Sequence, residues 1–590
     1  MKNSDKSQIT YGRKDRPLSA PAFSAAWGRV LAMTLLALSA IPSFAGPKPA
    51  PSKFSPDLMS AVSAKGLVTV NVQYRAYPTK GYLKTRQTGG ATLRWQLPAI
   101  SAVTMTVPAS MLATLEKEPN VVYISPDRTQ KMSANPLTEE FATAVEADVA
   151  ASQYGFDGTG IGVAIIDSGI AAHPDLNNAN GVSRVVYSQS FVSGDATTPD
   201  RFGHGTHVAG LIGGNGSSSG TANGYAATYA GVAPNVNIIN LRVLDQNGTG
   251  TDSGVIAAIQ EAITLKSVYN IRVINMSLGR PVFESYTLDP VDQAVEAAWQ
   301  AGIVVVAAAG NNGRYAPTNG FGTIVVPGND PSVITVGATM TELTPTRADD
   351  QIASYSSKGP TTLDHTCKPD LTAPGNRQVS LRVSGSTLDT MYPQYEVAPS
   401  SGTAMYYELS GTSMATPIVT GAVALMLQQT PSLTPDQVKA RLMKTAWKGV
   451  GQYTYSHDSL GNLYNNEYDL FTYGAGYLNI NAALGNTDVA SGLALSPTAV
   501  FNANGSVTVT NTNPDSNFAG SSVVWGATSV VWGDSVVWGA NTISASSVVW
   551  GATSVVWGVA SVTGDSVVWG ATTNAATATS ALSDGDPGDN

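Results

Sequence analysis

Cysteine is almost absent: Cys367 is the only one in 590 residues, so no intrachain disulfide can form. Histidine is nearly as scarce. Any imidazole chemistry must come from His173, His204, His207, His365 or His457. Charged residues make up only 13% of the chain, and a net charge of −9 gives no electrostatic footprint for nucleic acid. The last ninety residues contain no Lys or Arg at all. The apolar run near the N-terminus, Val30 to Ile41, is shorter than the roughly 20 residues that a membrane-spanning helix needs. What is plentiful is glycine, 58 residues, in a chain that is 43% apolar. That composition belongs to loop-rich globular protein, and the length predicts several domains, each able to bury a core.

Taken in order, the chain opens with a basic region (Lys2, Lys6, Arg13, Lys14, Arg16, Arg29), the Val30–Ile41 run, and Ser43-Phe44-Ala45, which has small residues at both ends. This is a signal-peptide pattern over 1–45 with cleavage expected after Ala45. Export without disulfides points to a bacterial, secreted, extracellular protein. A Pro-rich linker covers 46–53. Residues 54–131 form a small α+β unit, with alternating strands at 67–72 and 102–107, a helix at 108–117 and a strand at 121–124. Met132 to Pro136 is a polar junction suited to cleavage.

From 139 to 485, strands and helices alternate. Continuous apolar runs at 161–167, 236–244, 272–278, 303–309 and 333–338 suit parallel strands covered on both faces. Thr251 or Asp252, Asp289-Pro290, and Thr434 with Gln437 three residues on supply helix starts. The expected fold class is α/β, a doubly wound, mostly parallel sheet with its chemistry at the carboxyl ends of the strands. Over 486–590 the pentapeptide Ser-Val-Val-Trp-Gly occurs six times, placing Trp at 525, 532, 538, 550, 557 and 569. This low-complexity, β-prone repeat tail could stack into a small sheet, offer an aromatic face to a cell surface or polymer, or stay unordered.

Three stretches carry chemistry. Ser410 to Pro417 is a polar turn running into an apolar segment that ends at Leu427, the pattern of a buried helix. Pro417 is expected in its first turn, where a missing N–H costs little. A serine there, Ser413, either caps the helix or uses its free N–H groups to stabilise negative charge. Asp167 ends a buried strand. His204 sits among small residues, and His204 with His207 lacks the neighbours a zinc site needs. A serine hydroxyl is a weak nucleophile unless a base takes its proton and a third group orients that base. Asp, His and Ser occur here in that order.

Asp167-Ser168-Gly169, His204-Gly205-Thr206-His207-Val208-Ala209-Gly210 and Gly411-Thr412-Ser413-Met414-Ala415-Thr416-Pro417 resemble the three signatures of subtilisin-like serine peptidases. Ile274–Gly279, Ala308–Asn311, Tyr355–Pro360 and Lys368–Gly375 match further family segments in order. The resemblance covers 139–485 and implies a serine endopeptidase acting through an acyl-enzyme on polypeptide substrates. It implies Ser413 as nucleophile, His204 as base, Asp167 as its orienting group, and Asn311 as oxyanion donor beside the Ser413 N–H. His207 is expected to be structural. Gly248-Thr249-Gly250 is implied to pair with an extended substrate, and Leu278, Gly279, Ala309 and Gly310 to wall the pocket for the residue before the scissile bond. Arg280, where the family often has a second glycine, is expected either to alter the pocket rim and tolerate acidic residues or to point to solvent. Residues 54–131 resemble an inhibitor-type propeptide, an intramolecular partner removed by self-processing. The chemistry needs no cofactor. A structural calcium is open at Asp175, although the loop 213–229 lacks acidic residues, and no metal ligand set is assigned. The segment 376–409 is expected to form a lid or an inserted hairpin.

Overall fold

A computed structural model describes residues 52–55, 58, 66–131 and 141–501, except 343, 345, 450–452, 459–460 and 468, together with short strands at 507–510 and 543–545. The signal-like segment, the junction at 132–140 and all six Trp repeats lie outside the described residues.

The first described unit runs β1 (Leu67–Tyr74), α1 (Lys80–Thr88), β2 (Thr92–Leu97), β3 (Ala102–Pro108), α2 (Ala109–Glu116) and β4 (Val121–Pro126). Its sheet has the order β2-β3-β1-β4 and every pairing is antiparallel. Val70, Val72, Met105, Val107, Leu112, Leu115 and Ile124 fill its core. Two of these elements were not anticipated from the sequence. α1 buries only Leu83, so it carries no apolar stripe. β2 is an edge strand that does alternate polar Thr92, Arg94 and Gln96 with Leu93, Trp95 and Leu97, an available half-buried strand signal that the sequence reading missed. A further strand, β5 (Thr129–Lys131), leaves this unit for the larger one.

The larger unit begins with α3 (Ala147–Tyr154), β6 (Gly162–Asp167), β7 (Val185–Ser190), α4 (His204–Gly213), β8 (Asn237–Arg242), β9 (Thr249–Thr251), α5 (Asp252–Tyr269) and β10 (Ile271–Met276). It continues through α6 (Pro290–Gln300), β11 (Val304–Ala308), β12 (Ile334–Met340), β13 (Gln351–Ile352) and β14 (Leu371–Pro374). The sheet order is β13-β12-β11-β10-β6-β8-β7, with β14 also on β12. All pairings are parallel except β12 with β13. From the central β6 the chain winds first to β7 and β8 on one side, then to β10, β11 and β12 on the other. The strand order therefore reverses beside β6, the position at whose carboxyl end sheets of this kind place their ligands.

The expected helix starts are made as the sequence proposes. Thr251 accepts from Gly254 N, Asp289 accepts from Val291 N, and Thr434 forms a reciprocal capping box with Gln437. Residues 376–409 form β15 (Gln378–Leu381), α7 (Thr387–Met391), β16 (Glu396–Val397) and β17 (Tyr406–Leu409). Their three-stranded sheet packs on α4 through β15, with Ser380 Oγ donating to His207 O at 2.8 Å. Then come α8 (Thr412–Gln429), α9 (Pro435–Thr445), the hairpin β18 (Tyr453–His457) with β19 (Leu463–Glu467), and α10 (Ile480–Gly485).

Packing continues beyond 485, into the stretch that composition assigned to the tail. Ala494 N donates to Asp436, Ser496 Oγ reaches the buried Asp370 at 2.6 Å, and Ala499 N donates to His365 O. The compositional change therefore comes before the packing ends, because Ser496 and Ala499 are held by polar and backbone contacts that carry no periodic signal.

Candidate active site

Asp167 is the last residue of β6 and His204 the first of α4. His204 Nδ1 lies 2.9 and 3.1 Å from the two carboxylate oxygens of Asp167, so Nδ1–H donates to that carboxylate and Nε2 is left as the basic nitrogen. Both side chains are buried. His204 Nε2 has no hydrogen-bond partner among the described residues. Gly205 makes the approach possible: a Cβ there would meet Gly169 O at 2.2 Å and Asp167 Oδ1 at 3.1 Å.

Asp200, which motif reading missed, ties the pair together. It accepts from Ser168 Oγ at 2.9 Å, Gly203 N at 2.7 Å, and Thr206 N and Oγ1 at 2.9 and 2.8 Å. Ser168 Oγ in turn accepts from Gly205 N at 2.9 Å. One carboxylate thus satisfies the free N–H groups at the start of α4 and anchors the residue after Asp167. Its position four residues before His204, ahead of a helix, was the available signal.

α8 packs on α4 and carries Ser413 as its second residue, where a backbone N–H has no acceptor within the helix. Ser413 Oγ donates to Ser277 O at 3.0 Å, so it must change rotamer to reach a histidine. Pro417 is the sixth residue of α8, in its second turn and not its first. Its missing N–H therefore leaves Ser413 O without the usual i→i−4 bond. Ser277 Oγ takes that place, donating to Ser413 O at 2.9 Å, and Asn275 and Thr420 extend the network. Asn311 follows β11. Its Oδ1 accepts from Thr412 N and Thr412 Oγ1, both at 2.9 Å, which assigns the other end of the amide as the donor.

The residues implied to bind substrate lie in or just before β9 and in the segments after β10 and β11. Gly248 packs against the Phe202 ring, two residues before His204. Thr249 and Gly250 lie in β9, which pairs antiparallel with β5: Thr129 opposite Thr251, Gln130 opposite Gly250, Lys131 opposite Thr249. Leu278 and Ala309 are buried, and a Cβ on either Gly279 or Gly310 would strike Val325, so one side chain spans both walls.

Arg280 corrects the sequence expectation. It is buried, with Nε on Asp252 at 2.9 Å and Nη2 on Asp289 at 2.7 Å. Its charge is consumed by those carboxylates and does not face an acidic substrate. His207 is buried too, its Nε2 bridging Gln378 O at 3.1 Å and Tyr407 O at 3.0 Å between β15 and β17. Burial lowers its pKa to about 3. Asp175 is saturated by protein donors: Ser218 N at 2.8 Å, Ser217 Oγ at 3.1 Å and Tyr406 OH at 2.5 Å. Among the described residues no cluster of three or more His, Cys, Asp or Glu is placed to hold a metal.

Comparison with known proteins agrees with this geometry. The model of the subtilase family matches residues 158–476. Serine protease AprX of Bacillus subtilis is 40% identical over 294 residues, covering 48% of this chain and 61% of the relative. Subtilisin E of Bacillus subtilis is 34% identical over 397 residues, 67% of this chain and 83% of that one. The crystal structure of fervidolysin from Fervidobacterium pennivorans, described as a keratinolytic enzyme related to subtilisin, aligns with a TM-score of 0.54 at 23% identity, over 79% of this chain and 71% of that one. At that identity it speaks for the fold alone. With a doubly wound sheet, an Asp–His pair at its switch point and a family match over more than half its length, the chain belongs to the subtilase family of serine peptidases.

Proposed function

We propose that the chain is a secreted serine endopeptidase, made as a precursor, that hydrolyses polypeptides through an acyl-enzyme on Ser413. The observation that carries this reading is the buried Asp167–His204 hydrogen bond, which leaves Nε2 as a base at the end of the cleft where α8 presents Ser413. Ser413 Oγ attacks the substrate carbonyl carbon while its proton passes to His204 Nε2. Asp167 holds the ring in the required tautomer and stabilises the imidazolium. The oxyanion lies between the Ser413 N–H and the Asn311 amide donor. Collapse returns the proton to the leaving amine, and water then repeats the sequence on the ester. No cofactor enters this chemistry.

Residues 54–131 act in this reading as an inhibitory propeptide. Its support is β5, which lies along β9 as a substrate strand would, by β-augmentation. Three further contacts reinforce it: Asp127 accepts from Ser253 N at 2.6 Å, Asp252 N donates to Arg128 O at 2.8 Å, and Gln73 Nε2 donates to Leu288 O at 2.7 Å. The basic and apolar N-terminal pattern supports export, and the Trp repeats are proposed as a surface- or polymer-binding tail. The test is the mass of the secreted product from the wild type and from Ser413→Ala in one host. The wild type should lose roughly its first 130 residues, from the signal and propeptide spans, and the variant should keep its propeptide. Identical trimming of both would remove self-processing from this reading.

A further inference from the structure

The larger unit contains a buried acidic pocket that an arginine fills. Glu284, Asp252 and Asp289 are each at most 3% exposed. They set three carboxylates against one guanidinium of their own unit, Arg280. Into this site comes Arg128, the residue before β5, itself buried. Its Nη1 donates to Glu284 Oε1 at 2.5 Å and its Nη2 to Glu284 Oε2, a two-pronged pair. Nη1 also lies 4.0 Å from Asp252 and 3.9 Å from Asp289, and the guanidinium carbon sits 5.1 Å from the centre of the Phe283 ring. Buried carboxylates in excess of their cations are costly, so the pocket favours a positive side chain.

Its place in the cleft is fixed by two connections. Arg280 follows by three residues Ser277, whose carbonyl accepts from Ser413 Oγ. The strand from Arg128 to Lys131 runs past Thr251, Gly250 and Thr249 toward Gly248, which packs on Phe202 beside His204. A peptide held this way enters the pocket first and reaches the catalytic end later. We infer that Glu284, with Asp252, Asp289 and Phe283, forms a specificity pocket for an arginine of the substrate on the amino-terminal side of the scissile bond. This rests on the peptidase reading above, and Glu284 is its selecting residue. Arg128 is the intramolecular stand-in for that substrate arginine.

The test uses the mature enzyme and an internally quenched peptide spanning residues 124–136, compared with the same peptide carrying citrulline in place of Arg128. Citrulline keeps the shape and removes the charge, so no change to the enzyme is needed. Active-site titration with a fluorophosphonate sets the enzyme concentration. The arginine peptide should show roughly 10- to 100-fold higher kcat/KM, the range for hydrogen bonds to a charged group. In Glu284→Gln the ratio should fall toward one. Equal cleavage of both peptides by titrated wild type would overturn the pocket while leaving the peptidase reading intact. Failure to react with the fluorophosphonate, with neither peptide cut, would overturn both.

Discussion

At the scale of single residues, the oxyanion assignment makes the sharpest claim. Asn311 Oδ1 accepts from Thr412 N and Oγ1, and in the proposed mechanism the other end of the same amide donates to the oxyanion. Asn311→Asp keeps the acceptor and removes the donor. It should lower kcat by about 10²–10³-fold, a scale known from subtilisin, with a melting temperature near that of the parent. Ser413→Ala or His204→Ala should cost on the order of 10⁶-fold, again on the subtilisin scale. Peptide kinetics beside thermal melts check this, and full activity in Asn311→Asp would exclude the amide from the oxyanion site. These residue identities were readable in the sequence because Asp167, His204 and Ser413 each sit inside an extended motif. Asp200 and Glu284 were not, because a lone carboxylate reveals its partners only when the chain is folded around it.

At the scale of elements, α8 and its proline give a test of how a nucleophile helix is supported. Ser277→Ala removes the donor to Ser413 O, and Pro417 offers no N–H to replace it. A buried carbonyl left unpaired should cost about 1–3 kcal/mol. Pro417→Ala, which restores an N–H, should recover part of that loss in the double variant while giving a smaller benefit alone. Strictly additive denaturation energies would show that the two groups do not share this carbonyl.

His207 connects α4 to β15 and β17 and should be visible in acid. Its folded pKa of about 3 lies below the usual histidine value of 6.5 because of burial, with His204 adding to the effect. Between those two pH values the unfolded chain binds the extra proton, so stability falls as pH drops, by about 1.4 kcal/mol per pH unit from this group. In a Ser413→Ala background, His207→Gln keeps a donor and cannot titrate. Its melting temperature should fall less steeply between pH 6 and 4, outside the noise of about one degree. An unchanged slope would count against a neutral, bridging His207.

At the scale of the whole molecule, the end of the packed body is testable by truncation. Lys439 Nζ is buried, donating to Pro331 O at 2.7 Å and Ser496 Oγ at 2.9 Å, beside Asp370 and Lys368. A chain stopped after 485 opens this charged cluster to water and should melt several degrees lower, or fail to accumulate. A chain stopped after 501 should melt like the full protein. Equal melting of both would mean that 486–501 contributes nothing to the fold.

The sequence alone determined the α/β alternation, the buried helix from Thr412 to Leu427, and the residue types of the catalytic set, because periodicity and motif spacing are local properties. It did not determine where charge ends up. Arg280 pointed by motif logic toward the substrate, yet Asp252 and Asp289, 28 and 9 residues away along the chain, neutralise it and turn the same region into a site for arginine. Likewise, only the folded chain brings Ser277 to the carbonyl that Pro417 leaves unpaired. Buried polar groups must find partners wherever the fold supplies them, and that pairing is a long-range property no window of sequence contains.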